Sequence, residues 1–177
     1  ICWSLVGSEM CIRDSPKIDG GSIAISKLIE SFEKINYRID IVSISKSNYN
    51  NLNIPKYYKP SKNINQYTFQ KKMKINLVNV INSIINNKSI QAQRFYDSRI
   101  NKYIQNLIDN SEYKTIIFES IFSTIYLEKL KFNKDTKLIL RAHNIEHEIW
   151  FNSYEKNPVK KIFFYILGMQ IKKMELN

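Results

Sequence analysis

A chain of 177 residues is long enough to bury a sizeable core within one domain. With 44% hydrophobic and 24% charged residues its composition is globular, which excludes a disordered chain, and its longest strongly apolar run, 162–169, falls far short of the roughly 20 residues a bilayer span needs. The formal net charge of +11 points to nucleic acid, an anionic membrane surface or a phosphorylated substrate, unless it reflects only a genome rich in Lys, Asn and Ile codons.

Residues 1–15, ICWSLVGSEMCIRDS, differ in style from the rest and resemble a translated sequencing-adapter tail. The alternative is an authentic strand through ICWSLVG, since short apolar runs are ambiguous. Setting the segment aside removes Cys2 and Cys11, so no cysteine is left for a disulfide, a thiolate zinc site or a nucleophile. It also removes Arg13 against Glu9 and Asp14, which raises the net charge by one.

After PKIDGGS, the residues Ile25, Leu28, Ile29, Phe32 and Ile35 recur at helical spacing. RIDIVSIS, 38–45, alternates and is rich in β-branched residues, which predicts a strand. Residues 46–66 are polar and broken by Pro55 and Pro60, a long loop. Two further helical stripes follow, one from Met73 to Ile85 and one from Tyr96 to Ile108. YKTIIFES (113–120) is a strand, STIYLEKL a short helix, and TKLILRA (136–142) another strand. Asn144 is placed to cap a helix through Trp150, and Asn157-Pro158 opens the last helix. Alternating strands and helices predict an α/β chain: a parallel sheet with helices on both faces.

Two places can carry chemistry. In DGGS, Asp19 to Ser22, paired glycines ahead of a helix allow close approach of a phosphate to free N–H groups at the positive helix end. An ordinary turn capped by Ser22 explains the same residues. In RAHN, His143 follows the carboxyl end of a strand, where parallel sheets bind ligands. Glu119 follows another such end, and helix capping is its plainer use. The stretch RAHNIEHEIW also spells H-x-x-E-H through His143, Glu146 and His147, the pattern of one class of zinc hydrolases. Two histidines four apart share a face only when one helix carries both. The strand running into His143 and the cap at Asn144 argue against that, and a third ligand would have to come from Glu155 or Glu175. No metal is therefore expected.

PKIDGGSIAI, YKTIIFES, LILRAHNIEHEIW and KKMELN, in this order, resemble the N-terminal half of a retaining glycosyltransferase of family 4 with the GT-B architecture. The Pro-x-x-Asp-Gly-Gly loop of that family is matched by Pro16, Asp19, Gly20 and Gly21. Its R-x-H-N-x-E segment followed by Trp is matched by Arg141, His143, Asn144, Glu146 and Trp150, and its helix ending in an apolar residue and Glu by Met174-Glu175. The resemblance covers 16–177 and implies a Rossmann-like domain, one half of a GT-B fold, whose first strand is missing or replaced by the tail. It implies sugar transfer from a nucleotide-diphosphate sugar to a saccharide or lipid-linked acceptor, without a cofactor; a cytoplasmic location is the default expectation for a sequence in which nothing resembles a signal peptide or a membrane span. His143 would be the catalytic residue, Asp19, Gly20, Gly21 and Ser22 the loop at the donor phosphates or acceptor, and Glu119, Arg141, Asn144 and Glu146 acceptor contacts. An inward-facing ion pair is the plainer use of Arg141 and Glu146. The donor-binding C-terminal domain is absent from the sequence, so the chain alone is expected to be inactive.

The lysines of QKKMKINLVNVINSIINNK, set beside an apolar stripe, suit either a core helix with a basic end or one lying on an anionic membrane, at the inner face of the cell membrane. A nucleic-acid-binding domain is the remaining alternative, but it needs clustered cations and stacking aromatics. The lysines here are scattered, and no nucleic acid is expected.

Overall fold

A computed structural model describes residues 20–46, 62–71, 83, 89–142, 144–153 and 157–176. The tail, most of the polar loop and the stripe from Met73 to Ile85, apart from a buried Ser83, lie outside these residues. The membrane reading of that stripe lies outside them as well.

The described elements run α1 (Gly20–Lys34), β1 (Ile39–Lys46), β2 (Ile64–Lys71), α2 (Ile90–Gln93), α3 (Ser98–Asp109), β3 (Thr115–Phe118), a 3-10 helix (Ile121–Lys129), β4 (Lys137–Leu140), α4 (Glu146–Phe151) and α5 (Pro158–Leu176). The chain is mixed α/β. Its described strands form two separate parallel pairs, β1 with β2 and β3 with β4, where one continuous sheet was expected.

Alternation along the strands builds two layers. Ile39 and Ile41 of β1, Ile64 of β2 and Ile117 of β3 point one way and pack with Ile25 and Ile29 of α1. Val42, Ile44, Ile116 and Phe118 point the other way and pack with Ile100 and Ile104 of α3 and with Ile125 and Tyr126 of the 3-10 helix. Because neighbouring strand residues face opposite sides, the strands sit between α1 and α3. The two pairs thus share one core although no described ladder joins them.

α1 ends by a defined device. Asn36 takes φ 59°, a left-handed conformation that Asn tolerates better than most residues. The Tyr37 amide then reaches Phe32 O at 3.0 Å and the Asn36 amide reaches Glu33 O at 2.9 Å. These are the paired bonds of a Schellman stop, and its customary apolar contact is the edge-on packing of Phe32 and Tyr37, 5.8 Å between centroids. Ile35 was expected on the buried stripe. It falls past the helix end and is exposed.

β2 takes up the last three residues, 64–66, of the expected loop at 46–66, most of which lies outside the described residues. Only Ile64 is fully buried along it, and Tyr67 and Phe69 half-bury beside Tyr103. An edge strand this polar carries a weak alternation signal. Ser43 Oγ and Thr68 Oγ1 join it to β1 at 2.9 Å. The short helix after β3 is wound as 3-10, since Ser123 Oγ and Thr124 Oγ1 donate back to the carbonyls three residues earlier at 2.6 and 2.7 Å. On β4, Leu138, Ile139 and Leu140, which face alternate sides, are each exposed.

Candidate functional site

The register of β3 and β4 places Phe118 opposite Leu140, so the next residues, Glu119 and Arg141, emerge side by side beyond the carboxyl ends of two parallel strands. Arg141 Nη1 donates to Glu119 Oε1 and Oε2 at 3.0 and 3.2 Å, and the Arg141 amide extends the ladder to Phe118 O at 2.8 Å. The Glu119 side chain is 1% exposed, the Arg141 side chain 30%. A buried carboxylate thus holds a partly exposed cation at a strand end.

The following segment is fastened from far along the chain. α4 begins at Glu146 with Ile145 at its cap and without a side-chain cap bond, so Asn144 does not cap it as expected. Glu175, near the end of α5, takes over: its Oε1 accepts the Glu146 amide at 2.8 Å, and its Oε2 meets His147 Nδ1. A carboxylate suits the positive end of a helix. Packing completes the joint, with His147 edge-on to Phe151 and Trp150 edge-on to Phe164. Gly168 of α5 lies so close to Phe151 that an added Cβ would stand 2.4 Å from the ring.

The expected site residues divide accordingly. Glu119 and Arg141 come together, and the partner of Arg141 is Glu119, while Glu146 is tied through its amide to Glu175. Asn144 is exposed. Gly20, Gly21 and Ser22 are the first turn of α1 itself, not a loop ahead of it, so Ser22 is not its cap. Residues 35–38 join α1 to β1, and Ile25 and Ile29 of α1 pack with Ile39 and Ile41 of β1. His143 and Asp19 lie outside the described residues. α4 starts three residues after His143, so no described helix carries both histidines of H-x-x-E-H. Among the described residues no three His, Cys, Asp or Glu side chains gather as metal ligands.

Several structural groups were not anticipated. Asp40, 3% exposed, accepts from Asn65 Nδ2 at 2.7 Å and from the Tyr113 hydroxyl at 2.8 Å, tying β1 to β2 and to the entry of β3. Burial, reinforced by that carboxylate, pushes the Tyr113 hydroxyl above its ordinary range. A carboxylate inside the apolar alternation of RIDIVSIS was the readable signal. At the end of β2, Lys71 Nζ donates to Tyr96 O, and burial lowers the ammonium pKa while Asp97 opposes the shift. A cavity of about 310 Å³ lined by Asp109, Glu112, Tyr113 and Thr136 lies at the amino ends of β3 and β4, away from Glu119 and Arg141.

No protein-family model, curated protein or solved structure matches the chain.

Proposed function

We propose that the chain is the acceptor-side domain of a retaining glycosyltransferase of the GT-B type, which moves a sugar from a nucleotide-diphosphate sugar to a saccharide or lipid-linked acceptor. One observation carries the reading: segments quoted for the resemblance, distant in sequence, meet in pairs. YKTIIFES meets RAHN through Glu119 and Arg141, and EHEIW meets KKMEL through Glu146, His147 and Glu175.

On this reading the two strand pairs are the halves of one sheet, with the first strand belonging between β1 and β3. Glu119 fixes Arg141, whose partly exposed side chain would offer hydrogen bonds to acceptor hydroxyls or phosphate. Glu175 fixes the start of α4, and His143 would contact the sugar near the reacting carbon. The first turn of α1 has amides without intrahelical acceptors, suited to the negative charge that grows on a departing nucleotide diphosphate. The donor's remaining contacts would come from a second domain.

The test is transfer of labelled sugar from UDP- and GDP-sugars by the protein translated from source DNA sequenced through both ends of this frame. His143→Ala is expected to lower turnover by at least about 100-fold with the circular dichroism spectrum retained. Wild-type turnover in that variant would refute the assignment. A zinc hydrolase draws support from one contact, that of Glu175 with His147. Stoichiometric zinc in protein purified without chelator would favour it.

A further inference from the structure

The outer face of α5 is not used by the glycosyl-transfer reading. The helix has 19 residues, about 28 Å of length, and it is apolar on two opposite sides. Inwards, Leu167, Gly168 and Ile171 are buried, and Gln170 Oε1 accepts the Ile90 amide of α2 at 3.2 Å. Outwards, Val159, Ile162, Ile166 and Met169 follow one another at three- and four-residue steps, one stripe at helical spacing; the next step falls on Lys173 and the one after on Leu176. Ile162 is 64% and Ile166 42% exposed, and Tyr165 lies exposed beside them. A helix apolar all round is ordinarily covered all round.

The charges on the helix select what covers it. Lys160, Lys161, Lys172 and Lys173 are exposed, and the one acidic residue of α5, Glu175, is turned inwards to Glu146 and His147. A second copy of this face would set lysine against lysine in either orientation, on a chain of net charge +11. An anionic bilayer surface accommodates both features: the apolar stripe enters the acyl boundary while lysine stems reach up to lipid phosphates. An exposed Tyr suits the same depth. The helix is too short of apolar residues to cross a membrane, so the geometry is that of a helix lying in the plane of the surface.

We propose that the outward face of α5 docks the protein on an anionic lipid bilayer through Ile162, Ile166 and Met169, with Lys161, Lys172 and Lys173 at the headgroups. This stands independently of the glycosyl-transfer reading. The experiment is flotation of the full chain with vesicles of phosphatidylcholine alone or of phosphatidylcholine mixed with phosphatidylglycerol. Binding is expected to the mixed vesicles only. Ile162→Ser with Ile166→Ser, and separately Lys172→Glu with Lys173→Glu, should each weaken it by at least about tenfold. Lys102→Glu with Lys114→Glu, the same charge change at exposed positions elsewhere, should leave it within about threefold of wild type. Equal losses in both lysine pairs would reduce the effect to overall charge and overturn the proposal. It would also fall if wild type bound neither vesicle, or if the serine pair dissociated a dimer that does not float with lipid.

Discussion

Replacing Glu175 with alanine removes both attachments of α4 at once. Loss of the acceptor for the Glu146 amide at a helix N-terminus costs about 1 kcal/mol. Loss of the partner of His147 adds about 1–2 kcal/mol, below the range for fully buried charged bonds because both side chains are 16% exposed. The expected total is about 2–3 kcal/mol. Glu175→Gln keeps an oxygen for the amide and removes the charge, so about half that loss is expected. Urea denaturation followed by circular dichroism measures it as a lower midpoint at unchanged slope. A loss below about 0.5 kcal/mol for Glu175→Ala would refute the joint as a source of stability. A loss seen only in zinc-loaded protein and abolished by chelator would reassign Glu175 and His147 as metal ligands.

Tyr126→Phe should cost about 2–3 kcal/mol, because the fully buried hydroxyl accepts the Asp97 amide at 3.0 Å and donates to Phe95 O at 2.8 Å, leaving both backbone groups unpaired; faster hydrogen exchange at Asp97 would mark the site. The Arg99 guanidinium holds the Asp97 carboxyl at about 2, below its ordinary 3.8. A depressed folded-state pKa stabilises above the unfolded value and loses that stability as pH falls through the folded one. About 1 kcal/mol, discounted for the exposure of Arg99, should therefore disappear between roughly pH 4 and pH 2, and Arg99→Ala should flatten that part of a melting-temperature profile. Gly168→Ala gains about 1 kcal/mol of helix propensity yet meets the Phe151 ring at 2.4 Å, so a net loss of about 1–2 kcal/mol is expected. In a Phe151→Leu background, where the ring is gone, the same substitution should be neutral or stabilising.

Local periodicity was legible, and contacts across the chain were not. Ile100 and Ile104 on α3 and the alternation Ile39, Ile41 against Val42, Ile44 announce their elements because one buried face imposes its period on the sequence. β2 escaped because an edge strand need bury only Ile64, and Asn65, Gln66 and Gln70 conceal the rest. Asn144 looked like a cap since capping is usually local. The acceptor that serves α4 stands 29 residues away on α5, and no window of sequence can pair them. Glu119 and Arg141 were each recognisable as strand-end residues, but their meeting depends on the register of β3 against β4. The Schellman stop at Asn36 left only an Asn flanked by apolar residues to read.

The exposed β4 bears on how the protein behaves in a tube. Among the described residues no strand pairs its far edge, where the backbone groups beside Leu138, Ile139 and Leu140 are the template on which a strand from another molecule can add. What keeps two such edges apart is mutual repulsion between chains of charge +11, with Lys137 and Arg141 at the two ends of the strand. That guard weakens as salt shortens the reach of charge, from roughly 30 Å at 0.01 M to about 3 Å at 1 M. Colloidal stability should therefore fall as salt rises, the reverse of the salting-in that many proteins show.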